Sequence, residues 1–110
     1  MTINEISDKY HSILEMEPGE TTEEQLFELM KSHLRFYIKD CSEQIADYEA
    51  EYGMDFEEFK SALQAGKFGD PYNYENEQAR MEWESLCDEK EQLKTLLRQF
   101  VEEDRLQRIT

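Results

Sequence analysis

Residues 22–52 read TEEQLFELMKSHLRFYIKDCSEQIADYEAEY, a stretch in which apolar side chains recur at steps of three and four positions. That spacing places side chains on one face of an α-helix. The members of this stripe are Leu26, Met30, Leu34, Tyr37, Cys41, Ile45, Tyr48 and Tyr52. Thr21 or Thr22 is expected to cap the N-terminus, and Gly53 supplies the residue that commonly closes a helix. The stretch therefore predicts one long helix.

A second long helical pattern covers residues 74–105, where apolar positions alternate steps of four and three. Its members are Ala79, Trp83, Leu86, Leu93, Leu97 and Phe100, with Lys90 as the one interruption. This pattern is close to a heptad seam. Two long helices joined by a short one pack most simply as an antiparallel hairpin. The predicted fold is all-α, a long antiparallel helical hairpin in one domain over residues 1–110.

Two shorter helices are predicted from their caps. Thr2 and Glu5 have the spacing of a capping box, ahead of a helix over 3–16 that must stop before Pro18. Its apolar face is Ile3, Ile6, Tyr10, Ile13 and Leu14. Asp55 and Glu58 form a second capping box, ahead of a helix over 56–65. A loop then follows, in which Asp70 with Pro71 is one possible start for the next helix.

The chain is strongly acidic. Its 27 acidic and 12 basic side chains give a formal charge of −15, and the excess lies between residues 40 and 89. Such a charge repels phosphate backbones and anionic lipid headgroups, so no direct contact with nucleic acid or membrane is expected. The same field would steer a basic protein partner towards the chain, although acidity also serves solubility alone.

Apolar side chains outnumber what one seam can cover. Beside the two stripes lie Phe27, Phe36, Ile38, Met81, Cys87, Leu96 and Val101. A lone hairpin would leave part of this set in water, and large exposed apolar patches mark interfaces. We therefore expect a homodimer, forming a helical bundle, or another protein partner.

No catalytic, cofactor or metal site is predicted. His11 and His33 lack the partners of a metal-ligand pair, and no phosphate loop or nucleophile motif is present. Cys41 and Cys87 lack the C-x-x-C spacing, and no secretory leader precedes them. They are expected to be reduced thiols of a cytoplasmic protein, although a bridge is open to them if their helices are antiparallel neighbours.

The predicted role is a non-catalytic interaction module that docks onto another protein. Its predicted anchors are Phe56, Phe59, Tyr74 and Trp83, with Asp47, Glu49, Glu51, Glu57 and Glu58 as the steering carboxylates. Trp83 has a second interpretation, as the central residue of the hairpin seam. Two other functions stay open, namely an adaptor homodimer without such a partner and a metal-dependent helical enzyme that uses clustered carboxylates.

The segment Tyr52-Gly53-Met54-Asp55-Phe56-Glu57-Glu58-Phe59-Lys60, followed by Gly66, Gly69-Asp70 and Met81-Glu82-Trp83-Glu84, resembles a known group of sequences. These are short, acidic, helical proteins of archaea and bacteria that look like the antitoxin halves of two-gene toxin–antitoxin modules. The resemblance covers residues 48–100, about half of the chain. It implies a protein that neutralises a small, often basic toxin by covering its active surface, with no enzymatic activity of its own.

Overall fold

The computed structural model describes residues 7–109, and within that range it contains helices and turns but no strand. The elements are α1 (Asp8–Leu14), α2 (Thr22–Tyr52), α3 (Phe56–Gln64) and α4 (Tyr74–Arg108). Phe27 of α2 stacks on Phe100 of α4, whereas Tyr48 stacks on Trp83, so the two long helices run antiparallel. The predicted all-α hairpin is confirmed. None of the described helices combines the length and apolarity that crossing a bilayer requires.

Helix α2 has the bounds that its sequence predicts because both of its ends are locally specified. The Thr21 hydroxyl oxygen accepts a hydrogen bond from the backbone N–H of Glu24 at 3.1 Å, which selects Thr21 as the cap. At the other end Gly53 has a φ of 68° and donates its N–H to the carbonyl of Glu49 at 2.7 Å. This is the left-handed closure for which glycine is preferred.

Helix α3 begins and ends on similar local signals. The Asp55 side chain accepts a hydrogen bond from the N–H of Glu58 at 2.8 Å, and the Glu58 carboxylate accepts one from the N–H of Asp55 at 3.3 Å. The helix closes when Lys67 donates its N–H to the carbonyl of Ala62, beyond a left-handed Gly66. Its end at Gln64 is one residue before the predicted one.

Helix α4 starts at a cap that differs from the one considered at Asp70. The Asn73 side chain accepts a hydrogen bond from the N–H of Asn76 at 2.8 Å, and Asp70 instead accepts one from the N–H of Tyr72 within the loop. The helix continues to Arg108, past the predicted end at residue 105. Arg108 pairs with Asp104 at 2.8 Å, and a cation in the last turn complements the helix dipole.

Helix α1 is shorter than predicted. Thr2, Ile3, Glu5 and Ile6 lie outside the described residues, so their predicted cap and apolar face are not described. The helix ends at Leu14, after which tighter turns lead towards Pro18. Of the three predicted apolar positions that are described, only Leu14 is buried, whereas Tyr10 and Ile13 are 52% and 56% exposed. Tyr10 and Ile13, on the predicted apolar face, are therefore not part of a core.

The chain divides into two compact units. We call Tyr37–Thr95 the aromatic unit and the rest of the described chain, 7–36 with 96–109, the open unit. Eight buried residues belong to the aromatic unit: Cys41, Phe59, Ala62, Leu63, Asn76, Ala79, Trp83 and Leu86. Among the described residues of the open unit, Leu14 alone is buried. The core therefore lies in the aromatic unit.

Candidate protein-docking surface

Aromatic rings build the core of the aromatic unit. Trp83 lies at the centre, with its ring 5.0 Å from that of Phe59, 5.2 Å from that of Tyr48 and 5.4 Å from that of Phe56. Tyr52 stacks on the same tryptophan at 5.9 Å. Offset and tilted ring pairs at these separations stabilise a core beyond the area that they bury.

Two of the predicted anchors are therefore inside the protein. Phe59 and Trp83 are 0% exposed, so neither offers any surface to a partner in this structure. Residues three and four apart do share a helical face, but spacing cannot show whether that face meets solvent or a neighbouring helix. Trp83 lies instead at the centre of the hairpin seam, which was its second interpretation. Phe56 is half-buried against the same core.

Two exposed tyrosines lie where the loop meets the start of α4. Tyr74 is 77% exposed and Tyr72 is 71% exposed. Asn76, which is buried, donates its side-chain amide to the backbone carbonyls of Phe68 and Asp70 at 3.0 and 2.9 Å, and so ties the loop to the start of the helix. The two rings are thus presented on backbone that is already ordered. Tyr74, one of the predicted anchors, is thus accessible, and its role as an anchor stays a prediction. Asn76 was not identified from the sequence, because a single Asn beside a helix start carries no distinctive pattern.

The five predicted carboxylates are all exposed. Glu58 is engaged in the α3 capping box, and Glu57 pairs with Lys60 at 3.1 Å. The pKa of the Cys87 thiol is raised mainly by burial and by Asp88, and the negative charges of Glu49 and Glu57, which lie on different helices, add to the shift. Asp47 lies four residues before Glu51 on the same helix, which places both on one face.

A second set of carboxylates lies around Tyr48 and Tyr52, which are half-buried. After burial itself, the negative charge of Glu51 contributes to the raised pKa of both phenols, together with Glu82 at Tyr48 and Glu75 at Tyr52. Glu75 and Glu82 belong to α4 and were not among the predicted carboxylates. Only the pairing of α2 with α4 brings them to this place, so helical spacing within one element gives no signal for them.

These surroundings raise the pKa of both tyrosines. Burial raises the pKa of Tyr48 to about 12, and the Glu82 carboxylate adds to the shift by accepting a hydrogen bond from the hydroxyl. Burial, with the charges of Glu51 and Glu75, also raises the pKa of Tyr52. Both phenols stay protonated at neutral pH, and that of Tyr48 donates a hydrogen bond to Glu82.

The two cysteines are free thiols within the aromatic unit. Burial raises the pKa of Cys41, to which Glu89 contributes, and burial also raises the pKa of Cys87. Because the thiolate is the reactive form, both side chains are poor nucleophiles at neutral pH. They act here as small core residues.

Metal-ligating side chains do not converge in the described part of the chain. No group of three or more His, Cys, Asp or Glu residues within 7–109 has the geometry to hold an ion. His11 lies on α1 and His33 on α2.

The open unit carries a different surface, an apolar groove between α2 and α4 with a volume of about 430 Å³. Its lining residues are Leu29, Met30, His33, Leu34, Leu96 and Phe100, and we call this surface the open seam. Met30 and Leu96 are 48% and 50% exposed. No third helix covers the seam in the described residues as α3 covers the core of the aromatic unit.

Comparison with known proteins adds no relative. The chain matches no protein-family model, no curated protein and no solved structure. The antitoxin resemblance of residues 48–100 therefore stays a prediction from the sequence.

Proposed function

We propose that this chain is a non-catalytic interaction module whose aromatic unit docks onto a basic protein. The observation that carries the proposal is the pair of exposed tyrosines, Tyr72 and Tyr74, at the junction of the loop and α4 that Asn76 holds in place. Tyrosine is favoured at binding hot spots because it buries a large ring and keeps a polar hydroxyl. An ordered loop also loses little entropy when a partner binds.

The charge of the aromatic unit supports a basic protein as the partner. Residues 37–95 contain sixteen acidic and six basic side chains, a formal charge of −10. A basic protein would be attracted over about a Debye length, roughly 8 Å at physiological ionic strength, and the attraction would raise its association rate. Glu75, next to Tyr74 in the first turn of α4, places negative charge beside the proposed anchor.

The antitoxin resemblance gives this proposal a specific form, in which the basic partner is a small toxin whose active surface is covered. An adaptor without a toxin is the alternative form. Co-expression separates them. If the captured partner arrests growth when expressed alone and growth recovers when this chain is co-expressed, the toxin form is supported, whereas a harmless partner favours the adaptor.

The proposal is tested by capturing proteins from native lysate on the tagged chain, and comparing it with a Tyr72→Ser/Tyr74→Ser double variant. We expect a basic protein that is recovered by the wild-type chain and reduced at least about tenfold by the double variant, since two hot-spot rings are removed. Tyr10→Ser is the matched control, because Tyr10 is also exposed but lies on α1 of the open unit. Recovery by this control should equal that of the wild type.

Salt provides a second readout. Raising the salt concentration from about 50 to 300 mM should slow association with the captured protein, because screening weakens the steering field. Glu51→Gln/Glu75→Gln should slow association in the same direction. The proposal is overturned if no protein is enriched over a blank matrix, or if the double tyrosine variant captures the same proteins as the wild type.

A further inference from the structure

The open seam leaves apolar side chains in water along both long helices. Met30 of α2 and Leu96 of α4 are about half exposed at the groove, and Phe36, one helical turn beyond His33, is 64% exposed. Within the described part of the open unit no residue of α2 or α4 is buried. Within residues 7–109 the groove is lined by α2 and α4 alone, so its apolar side chains are accessible to a further protein surface.

The charge of the two helical segments that form the open seam favours a second copy of the chain as that further surface. Residues 22–36 and 96–109 contain six acidic and five basic side chains, a formal charge of −1, compared with −10 for residues 37–95. A basic protein or peptide gains little electrostatic attraction here. Two copies of a chain with a charge of −15 repel each other least when they meet at this near-neutral surface.

A second concave surface of the open unit carries charges of both signs. Its volume is about 710 Å³, and it is lined by Arg35 of α2 and by Leu97, Arg98, Val101, Glu102 and Glu103 of α4. The open unit therefore presents no single-signed field that would select a strongly basic or strongly acidic partner.

We propose that the open seam is a homodimerisation surface, occupied by the open seam of a second copy of this chain. The two hairpins would then complete a four-helix arrangement in which Met30, Leu96 and Phe100 are covered. This interface does not involve Tyr72 or Tyr74. It therefore does not depend on the proposed docking of a basic protein and remains testable if that docking fails.

Sedimentation of the purified full chain, from about 1 to 200 µM, tests the proposal in matched variants. The wild-type chain is expected to sediment as a dimer with a concentration-dependent monomer. Leu96→Glu should raise the dissociation constant at least about a hundredfold, because the unpaired charge enters the interface once from each copy. Glutamate is a good helix former, so α4 itself should persist, which circular dichroism checks.

Met81→Glu is the control. Met81 also lies on α4 and is 53% exposed, close to the 50% of Leu96, but it belongs to the aromatic unit. This variant should dimerise as the wild type does. A stricter readout mixes Leu96→Glu with Leu96→Lys, each of which should be monomeric alone. Their mixture should form a heterodimer, since a two-fold interface that brings the two substituted positions together restores opposite charges.

Three results would overturn the proposal. They are a wild-type chain that stays a single copy up to about 200 µM, a dimer that Leu96→Glu leaves unchanged, and equal loss of dimer in Leu96→Glu and Met81→Glu. A single copy that holds a small apolar ligand in the groove would likewise assign the open seam to a different occupant.

Discussion

Tyr48 links the core of the aromatic unit to pH. Its pKa is about 12 in the folded chain, above the ordinary value of 10.0, because it is buried and its hydroxyl donates to Glu82. Below pH 10 the phenol is protonated in the folded and unfolded chains alike, and the stabilisation is fully present. Between pH 10 and 12 the unfolded chain releases this proton first, so the free energy of unfolding should fall, by roughly 2 kcal/mol over the range.

Urea unfolding of the wild type and of Tyr48→Phe at successive pH values checks this prediction. The variant should lack that part of the alkaline loss, although Tyr52, whose pKa is also raised, contributes a loss of the same sign in both proteins. Tyr74→Phe is the control, because Tyr74 is 77% exposed, and it should follow the wild-type curve. Equal alkaline losses in the wild type and in Tyr48→Phe would show that the Tyr48 phenol is not the linked group.

The sequence locates single residues on a helical face but not on the inside or outside of the protein. Phe59 and Trp83 were predicted as anchors from their size and their acidic neighbours, whereas the structure has both of them fully buried. What decides the difference is α3, which lies over the seam and covers it from the third side. Trp83 even buries its indole N–H without an acceptor among the described residues, so ring packing outweighs one hydrogen bond at this position.

Helix bounds were predictable wherever a cap is encoded in a few neighbouring residues. Thr21, Gly53, Asp55 and Gly66 set the ends of α2 and α3 within one residue of the prediction. The start of α4 at Tyr74 was also predicted, but its cap, Asn73, was not. The loop before it is held by Asn76, whose side chain bonds to backbone carbonyls up to eight residues earlier. Contacts of that kind depend on the loop conformation, which no local motif specifies.

The α3 capping box gives a prediction at the scale of the element. Asp55→Ala should lower the free energy of unfolding by about 1 kcal/mol, because the N–H of Glu58 loses its acceptor at the start of the helix. Since α3 supplies Phe59 and Leu63 to the core, the loss should appear as a lower urea midpoint with an unchanged slope. Glu58→Gln should be nearly neutral, as glutamine completes the box.

Glu57→Ala provides the comparison for that measurement. Glu57 is also exposed in the first turn of α3, but it makes a solvent-exposed pair with Lys60, a type of pair worth about 0.5 kcal/mol or less. If Asp55→Ala and Glu57→Ala shift the midpoint equally, the cap does not contribute beyond the general effect of removing a carboxylate there.

In the whole molecule, the buried core and most of the negative charge lie in the same part of the chain. Residues 37–95 hold both the aromatic core and most of the negative charge, whereas residues 22–36 and 96–109 are near-neutral and lack a buried core. The sequence did indicate a surplus of apolar side chains but not its place, since Cys87 and Ile38 were counted in it together with Leu96. The structure assigns Cys87 to the core and leaves Leu96 in water. That division separates a unit with a buried core from a unit whose long-helix segments have none.

Hydrogen exchange should reveal the same division. Amides open with free energies that follow local burial, so those of α4 between residues 74 and 95, against the aromatic core, should be the most protected. Amides of 22–36 and 96–108 lie in helical stretches with no buried side chain, and at low micromolar concentration they should exchange at least about tenfold faster. If the open seam pairs with a second copy, raising the protein concentration slows exchange in these two stretches and leaves the core amides unchanged, since binding stabilises only what it covers. Leu96→Glu should abolish that concentration dependence while Met81→Glu retains it, and uniform protection along both long helices at every concentration would contradict the division of the chain into a stable and an open unit.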